Sequence, residues 1–139
     1  MGLLDGLLGP KYEELSADSA AAKAIASHGV FEEFVKSAND RIEVVPDDGA
    51  LYAFVGKPPK AFGLVWFDDS ARYDVRSQME RGAMNREAAM RLVQSLEGVY
   101  VANSDAARYE FKVAGHKVVV TPSETMAAAI RDAIGEASS

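Results

Sequence analysis

The sequence predicts a single α+β domain: an antiparallel sheet of about six strands, in the order α-βββ-α-βββ-α, with helices packed mainly on one face. Three observations carry this. Segments that alternate at period two, or are apolar throughout, are joined by hairpin-length turns. Segments with apolar residues three and four apart stand before, between and after them. A chain of 139 residues, 48% of them apolar, has the material for one core rather than two.

The chain opens on a short apolar segment, residues 1–10, in which Leu3, Leu4, Leu7 and Leu8 recur at helical spacing. Gly2, Gly6 and Gly9 each weaken such a helix by up to about 1 kcal/mol relative to alanine. It is therefore expected to order only when its leucines dock on something. Pro10 separates it from the body, residues 11–139. Ser16 is placed to cap an Ala-rich helix over Ala17–Ser27, which Gly29 ends or bends. Val30, Phe31, Phe34 and Val35 continue at helical spacing, with Glu32, Glu33 and Lys36 on the far side.

The first three strands follow. Arg41-Ile42-Glu43-Val44-Val45 alternates polar and apolar, and Pro46-Asp47-Asp48-Gly49 is a turn in which glycine supplies positive φ. Leu51–Val55 and Phe62–Phe67 are apolar runs, joined by Gly56-Lys57-Pro58-Pro59-Lys60, whose two prolines exclude a ladder at that point. Asn85 is placed to cap a helix through Leu96, with Ala88, Ala89, Leu92, Val93 and Leu96 on one face. The spacing of Ala71, Val75 and Met79 favours extending that helix back through Arg72–Arg81, with a flaw at Gly82. The alternative is a strand, Arg72-Tyr73-Asp74-Val75, hairpinned onto Phe62–Phe67.

Three more strands are predicted: Val99–Ala102, Arg108–Val113 and Lys117–Val120, the last two joined by a turn at Ala114-Gly115-His116. Thr121-Pro122-Ser123-Glu124 reads as a capping box, threonine and glutamate three apart with proline at the first helical position. Met126, Ala129, Ile130, Ala133 and Ile134 make the last helix amphipathic.

Composition narrows the chemistry. Fifteen basic against twenty-one acidic side chains give a net charge of −6, so nucleic acid is not an expected partner. The chain has no cysteine, which removes disulfides, thiolate metal sites and thiol catalysis. No apolar run approaches the roughly 18 residues needed to span a bilayer, and the opening residues lack the basic start of a secretory signal. The expected compartment is the cytoplasm. The eleven glycines include no dinucleotide-binding or P-loop spacing, and no histidine pair has metal spacing. His28, read at a helix end, and His116, read in a turn, are given no catalytic role. The pairs Asp47-Asp48 and Asp68-Asp69 fit turn starts and caps better than a cation site. No catalytic residue, metal or cofactor is expected.

Charge is unevenly spread. Residues 1–56 carry net −6, residues 57–91 net +2 and residues 92–139 net −2. The middle segment holds Lys57, Lys60, Arg72, Arg76, Arg86 and Arg91, which form the candidate surface for an anion or an acidic partner. On one continuous helix the four arginines would fan across the side opposite the apolar stripe.

The opening Met1–Gly9 resembles the start of some bacterial pleckstrin-homology-like proteins, over those nine residues alone. The small acidic chain with alternating helices and strand triplets is similar in architecture to type III secretion chaperones, with no residue motif in common. Neither likeness implies a site residue here.

Successive strand residues point to opposite faces, so Phe54 with Val55, or Trp66 with Phe67, cannot share one core. Helices on one face would leave the other needing cover. The function expected is therefore a non-enzymatic protein–protein interaction or assembly module, acting as a homodimer or binding a protein segment. One alternative is a small-ligand-binding protein or enzyme with a pocket between sheet and helices, drawing on Tyr73, Arg76, Arg91, Tyr109 and His116. Another is peripheral membrane attachment through Leu3, Leu4, Leu7 and Leu8, although nine residues without basic neighbours attach weakly and a membrane is not the expected partner.

Overall fold

The structure is a computed structural model and describes residues 12–138. Leu3, Leu4, Leu7 and Leu8 lie outside the described residues. The elements in chain order are β1 (Glu13–Glu14), α1 (Ala20–Ala26), α2 (Gly29–Ser37), β2 (Ile42–Asp47), β3 (Ala50–Lys57), β4 (Ala61–Phe67) and β5 (Arg72–Asp74). They continue with α3 (Val75–Glu80), α4 (Arg86–Ala102), β6 (Tyr109–Val113), β7 (His116–Val120) and α5 (Glu124–Ala137).

The seven strands form one sheet in the order β1-β6-β7-β2-β3-β4-β5. The sheet is mixed rather than antiparallel as expected: β2 runs parallel to β7, and β1 runs parallel to β6. The parallel seam has a topological cause. The chain leaves the β2–β5 meander, crosses one face through α3 and α4, and returns through the β6–β7 hairpin to lie beside β2, where it started.

Two tight turns set register. Asp48 and Gly49 join β2 to β3, with Gly49 at φ 73°, and Asp47 pairs with Ala50. Ala114 and Gly115 join β6 to β7, both at positive φ (53° and 82°), so that Val113 pairs with His116. Both central residues at positive φ make this a type I′ turn, whose twist matches that of the flanking strands.

The sheet is covered on both faces, which corrects the expectation of helices mainly on one. On one face Val45, Tyr52, Phe54, Leu64 and Trp66 pack under Ala88, Ala89, Leu92 and Leu96 of α4 and Met126, Ile130 and Ala133 of α5. On the other, Ile42, Val44, Leu51, Ala53, Phe67, Val118 and Val120 pack under Ile25 of α1 and Phe31 and Val35 of α2. Phe31 meets Phe67 edge to face, ring centroids 5.2 Å apart. The doubly apolar strands are satisfied within the chain as a three-layer arrangement, as buried central strands require.

Local signals were overridden in four places. Val99–Ala102, expected as a strand, is the last turn of α4. Leu92 and Leu96 place Tyr100 on the same buried side, and the helix ends only where the Asn103 side chain donates to the Val99 carbonyl at 2.8 Å. Arg72–Arg81, favoured as an extension of that helix, divides into a strand and a short helix. Arg72–Asp74 pairs with β4, and Asp74 then caps α3 in a reciprocal box with Ser77. Gly82, at φ 77°, separates α3 from α4. Ser19, not Ser16, caps α1. His28 stands at a helix end as expected, its ring Nδ1 donating to the Ala24 carbonyl of α1 at 2.8 Å, and it is also the N-cap residue of α2. Ser123, not Thr121, caps α5 by accepting from the Met126 amide at 3.1 Å.

Candidate functional site

The six basic residues singled out above do not form one surface. Lys57 and Lys60 sit at the tip of the β3–β4 hairpin, where Lys57 pairs with Ala61. Arg72 is opposite Phe67, at the other end of β4. At about 3.3 Å per residue those ends are roughly 20 Å apart. Arg72 leans over the Phe34 ring of α2, 5.5 Å from its centroid, and so belongs to the α1–α2 side. Arg76 is spent on an exposed pair with Glu80 at 3.8 Å. Arg86 and Arg91 are exposed on α4, on the opposite face of the sheet. The break at Gly82 is what separates the arginines. The polar groups considered for a pocket are dispersed too: the Tyr73 hydroxyl donates to Asp68 at 2.7 Å, and His116 is exposed at the start of β7.

The densest polar cluster is one that local pattern concealed. Glu43 lies on β2 between Phe54 and Val119, on the face covered by α4, and is fully buried. Its Oε1 accepts from the Tyr100 hydroxyl at 2.7 Å and from Arg41 at 3.2 Å. Its Oε2 accepts from Arg108 Nε at 2.9 Å and from the Thr121 hydroxyl at 2.8 Å. Arg108 Nη1 donates in addition to the carbonyls of Asn103, Ser104 and Ala106, and the guanidinium lies 5.1 Å from the Tyr100 ring centroid. Burial alone pushes the Glu43 carboxyl up, but hydrogen bonds from Tyr100 and Thr121 and the Arg108 charge outweigh it and hold the group below its ordinary value. The cluster ties the end of α4, the start of β6 and the end of β7 to the central strand. In sequence Glu43 looked like the wet residue of an alternating strand. Apart from Arg41, two residues before it, its partners lie 57, 65 and 78 residues away, so no local spacing announces them.

A second cluster joins α5 to the β2–β3 hairpin. Arg131 Nη1 donates to both Asp47 carboxylate oxygens, at 3.1 and 2.9 Å, and the Tyr52 hydroxyl donates to Asp47 at 2.8 Å. Burial and the neighbouring Asp47 push the Tyr52 hydroxyl above its ordinary value. An open groove of about 590 Å³ runs beside it, lined by Ala20, Ala24, Asp47, Ser123 and Arg131. A groove of similar volume follows the β1–β6 edge past Glu13, Glu110 and Lys117.

Among the described residues, large apolar side chains stand in solvent on α4 and on α3, which precedes it. Met90 is 58% exposed and Val101 59%, with Val93 and Met79 each at 37%. Val93, expected on the buried face with Leu92 and Leu96, instead lies at its outer margin. Comparison of the chain with protein-family models, with curated proteins and with solved structures gives no match.

Proposed function

We propose that this domain is a non-enzymatic interaction module that pairs with a second copy of itself. The observation that carries the reading is the set of exposed apolar side chains on α4, Met90, Val93 and Val101; Met79 on α3 is exposed as well. Neighbouring apolar side chains in solvent cost free energy that a partner's surface removes. The support differs from that expected of the sequence alone. The second face of the sheet lies under α1 and α2, so the sheet itself no longer calls for a partner, and the outward side of α4 takes that place. The polar groups that do converge are engaged in structural tasks: Glu43 accepts four hydrogen bonds inside the core, and Asp47 anchors α5.

The test is sedimentation equilibrium on the full chain from about 10 μM to about 1 mM, a range that spans weak association. The average mass is expected to rise towards that of two chains. A mass of 14.9 kDa throughout overturns the reading.

A further inference from the structure

We infer that two copies meet through the outward face of α4, antiparallel about a two-fold axis beside residues 91 and 92. Met90 of each copy then packs on Val93 of the other, and Arg86 of each pairs with Glu97 of the other. This rests on the self-pairing proposed above and names its surface and register.

The sequence of the exposed face carries the argument. Arg86, Met90, Val93 and Glu97 are spaced four, three and four apart. At about 100° per residue they fall within roughly 60° of one another on the helix. All four are exposed. Read along the helix, the face is basic, apolar, apolar, acidic. Turned end for end, it presents acidic, apolar, apolar, basic, which complements it at every position. A two-fold interface has to be self-complementary in this way. Arg86 and Glu97 are about 16 Å apart along the axis at 1.5 Å per residue, so one antiparallel copy satisfies both ends at once.

Among the described residues, neither Arg86 nor Glu97 makes an ion pair. Charges already paired at home, such as Arg76 with Glu80, would offer less to a partner. Val101 lies one turn beyond Glu97 and extends the apolar margin. A face of this length falls below the roughly 1,200 Å² of a standard stable interface. The pairing is therefore weak and concentration-dependent.

Charge reversal tests both the surface and the register. Arg86→Glu sets glutamate against glutamate at both ends of the paired helices, and Glu97→Arg sets arginine against arginine. Each variant alone is expected to raise the dimer dissociation constant about tenfold or more, as attraction turns to repulsion at two sites. In an equimolar mixture, the mixed dimer sets the introduced glutamate against the introduced arginine at one end. At its other end the natural Arg86 faces the natural Glu97, so the mixture is expected to recover the mass of two chains. Both changes are tolerable to the helix itself, glutamate suiting its first turn and arginine its C-terminal half, and circular dichroism checks that the variants remain folded. If the natural chain dimerises and either variant does so equally well, the surface is wrong while self-pairing stands. If both variants are weakened and the mixture is not restored, the register is wrong. A natural chain that never dimerises removes the earlier reading as well.

Discussion

Replacing Arg108 by methionine tests whether the Glu43 cluster holds the fold together. Methionine keeps most of the apolar stem and removes the guanidinium. Lost with it are the 2.9 Å contact to Glu43 and the bonds from Nη1 to three backbone carbonyls. Glu43 has no exposed surface, so its charge stays out of water with only Tyr100, Thr121 and the partly exposed Arg41 to compensate. Breaking a buried ion pair by removing one partner typically costs about 3–5 kcal/mol. The three remaining donors place the expected loss near the lower end, about 3 kcal/mol. That is a large share of the roughly 5–15 kcal/mol that holds an ordinary domain folded, and corresponds to a fall in Tm of roughly 10 °C at this chain length. Urea unfolding at neutral pH, followed by circular dichroism with the slope checked against the natural chain, measures it.

The pH dependence has a definite sign. The Glu43 carboxyl is held below its ordinary value of 4.5. Its stabilisation is fully present above that pH and is lost as pH falls through the lower folded-state value. The difference between natural chain and variant should therefore be full at neutral pH and shrink in acid. Replacing Glu43 by leucine in the same chain should recover part of the loss, because the stranded charge goes too. A loss below about 1 kcal/mol at neutral pH, or one that stays constant into acid, refutes the reasoning.

Three further outcomes are expected. Phe31→Ala removes a fully buried ring packed on Phe67, and unfolding should show a loss of about 3–5 kcal/mol; a near-neutral result would mean that α2 does not seal that face. Ser123→Ala should cost about 1 kcal/mol through the lost cap of α5, whereas Thr121→Val should cost more, because it strips a buried donor from Glu43; equal losses in thermal melts would contradict this division of roles. Ala114→Asn should raise stability by up to about 1 kcal/mol, because asparagine accepts the left-handed backbone that alanine holds at φ 53°, and denaturant midpoints read the gain directly.

Elements with strong local causes were legible in the sequence. The β2–β3–β4 meander was visible because Asp48-Gly49 and the Pro58-Pro59 connection punctuate apolar runs, and α4 began at Asn85 as its capping side chain requires. Val99-Tyr100-Val101 misled because branched and aromatic residues favour strands only when nothing longer holds them. Here the helix from Arg86 to Ala102 runs unbroken, and its buried side seats Tyr100 on Glu43. The candidate surface divided for a similar reason. Arg72 joined a strand edge while Arg86 and Arg91 stayed on α4, and the backbone turns between them at Gly82.

What the amino-acid order determined by itself was the set of short-range choices: where turns fall, which segments present apolar residues to both sides, and that an α+β domain results. Tertiary structure alone decided the parallel seam between β2 and β7, the cover of α1 and α2 over the second face, and the burial of Glu43. The physical reason is range. Turns and caps are made by residues within a few positions of one another, whereas a strand's neighbour, or a buried carboxylate's partners, are found only after the chain has travelled dozens of residues and returned.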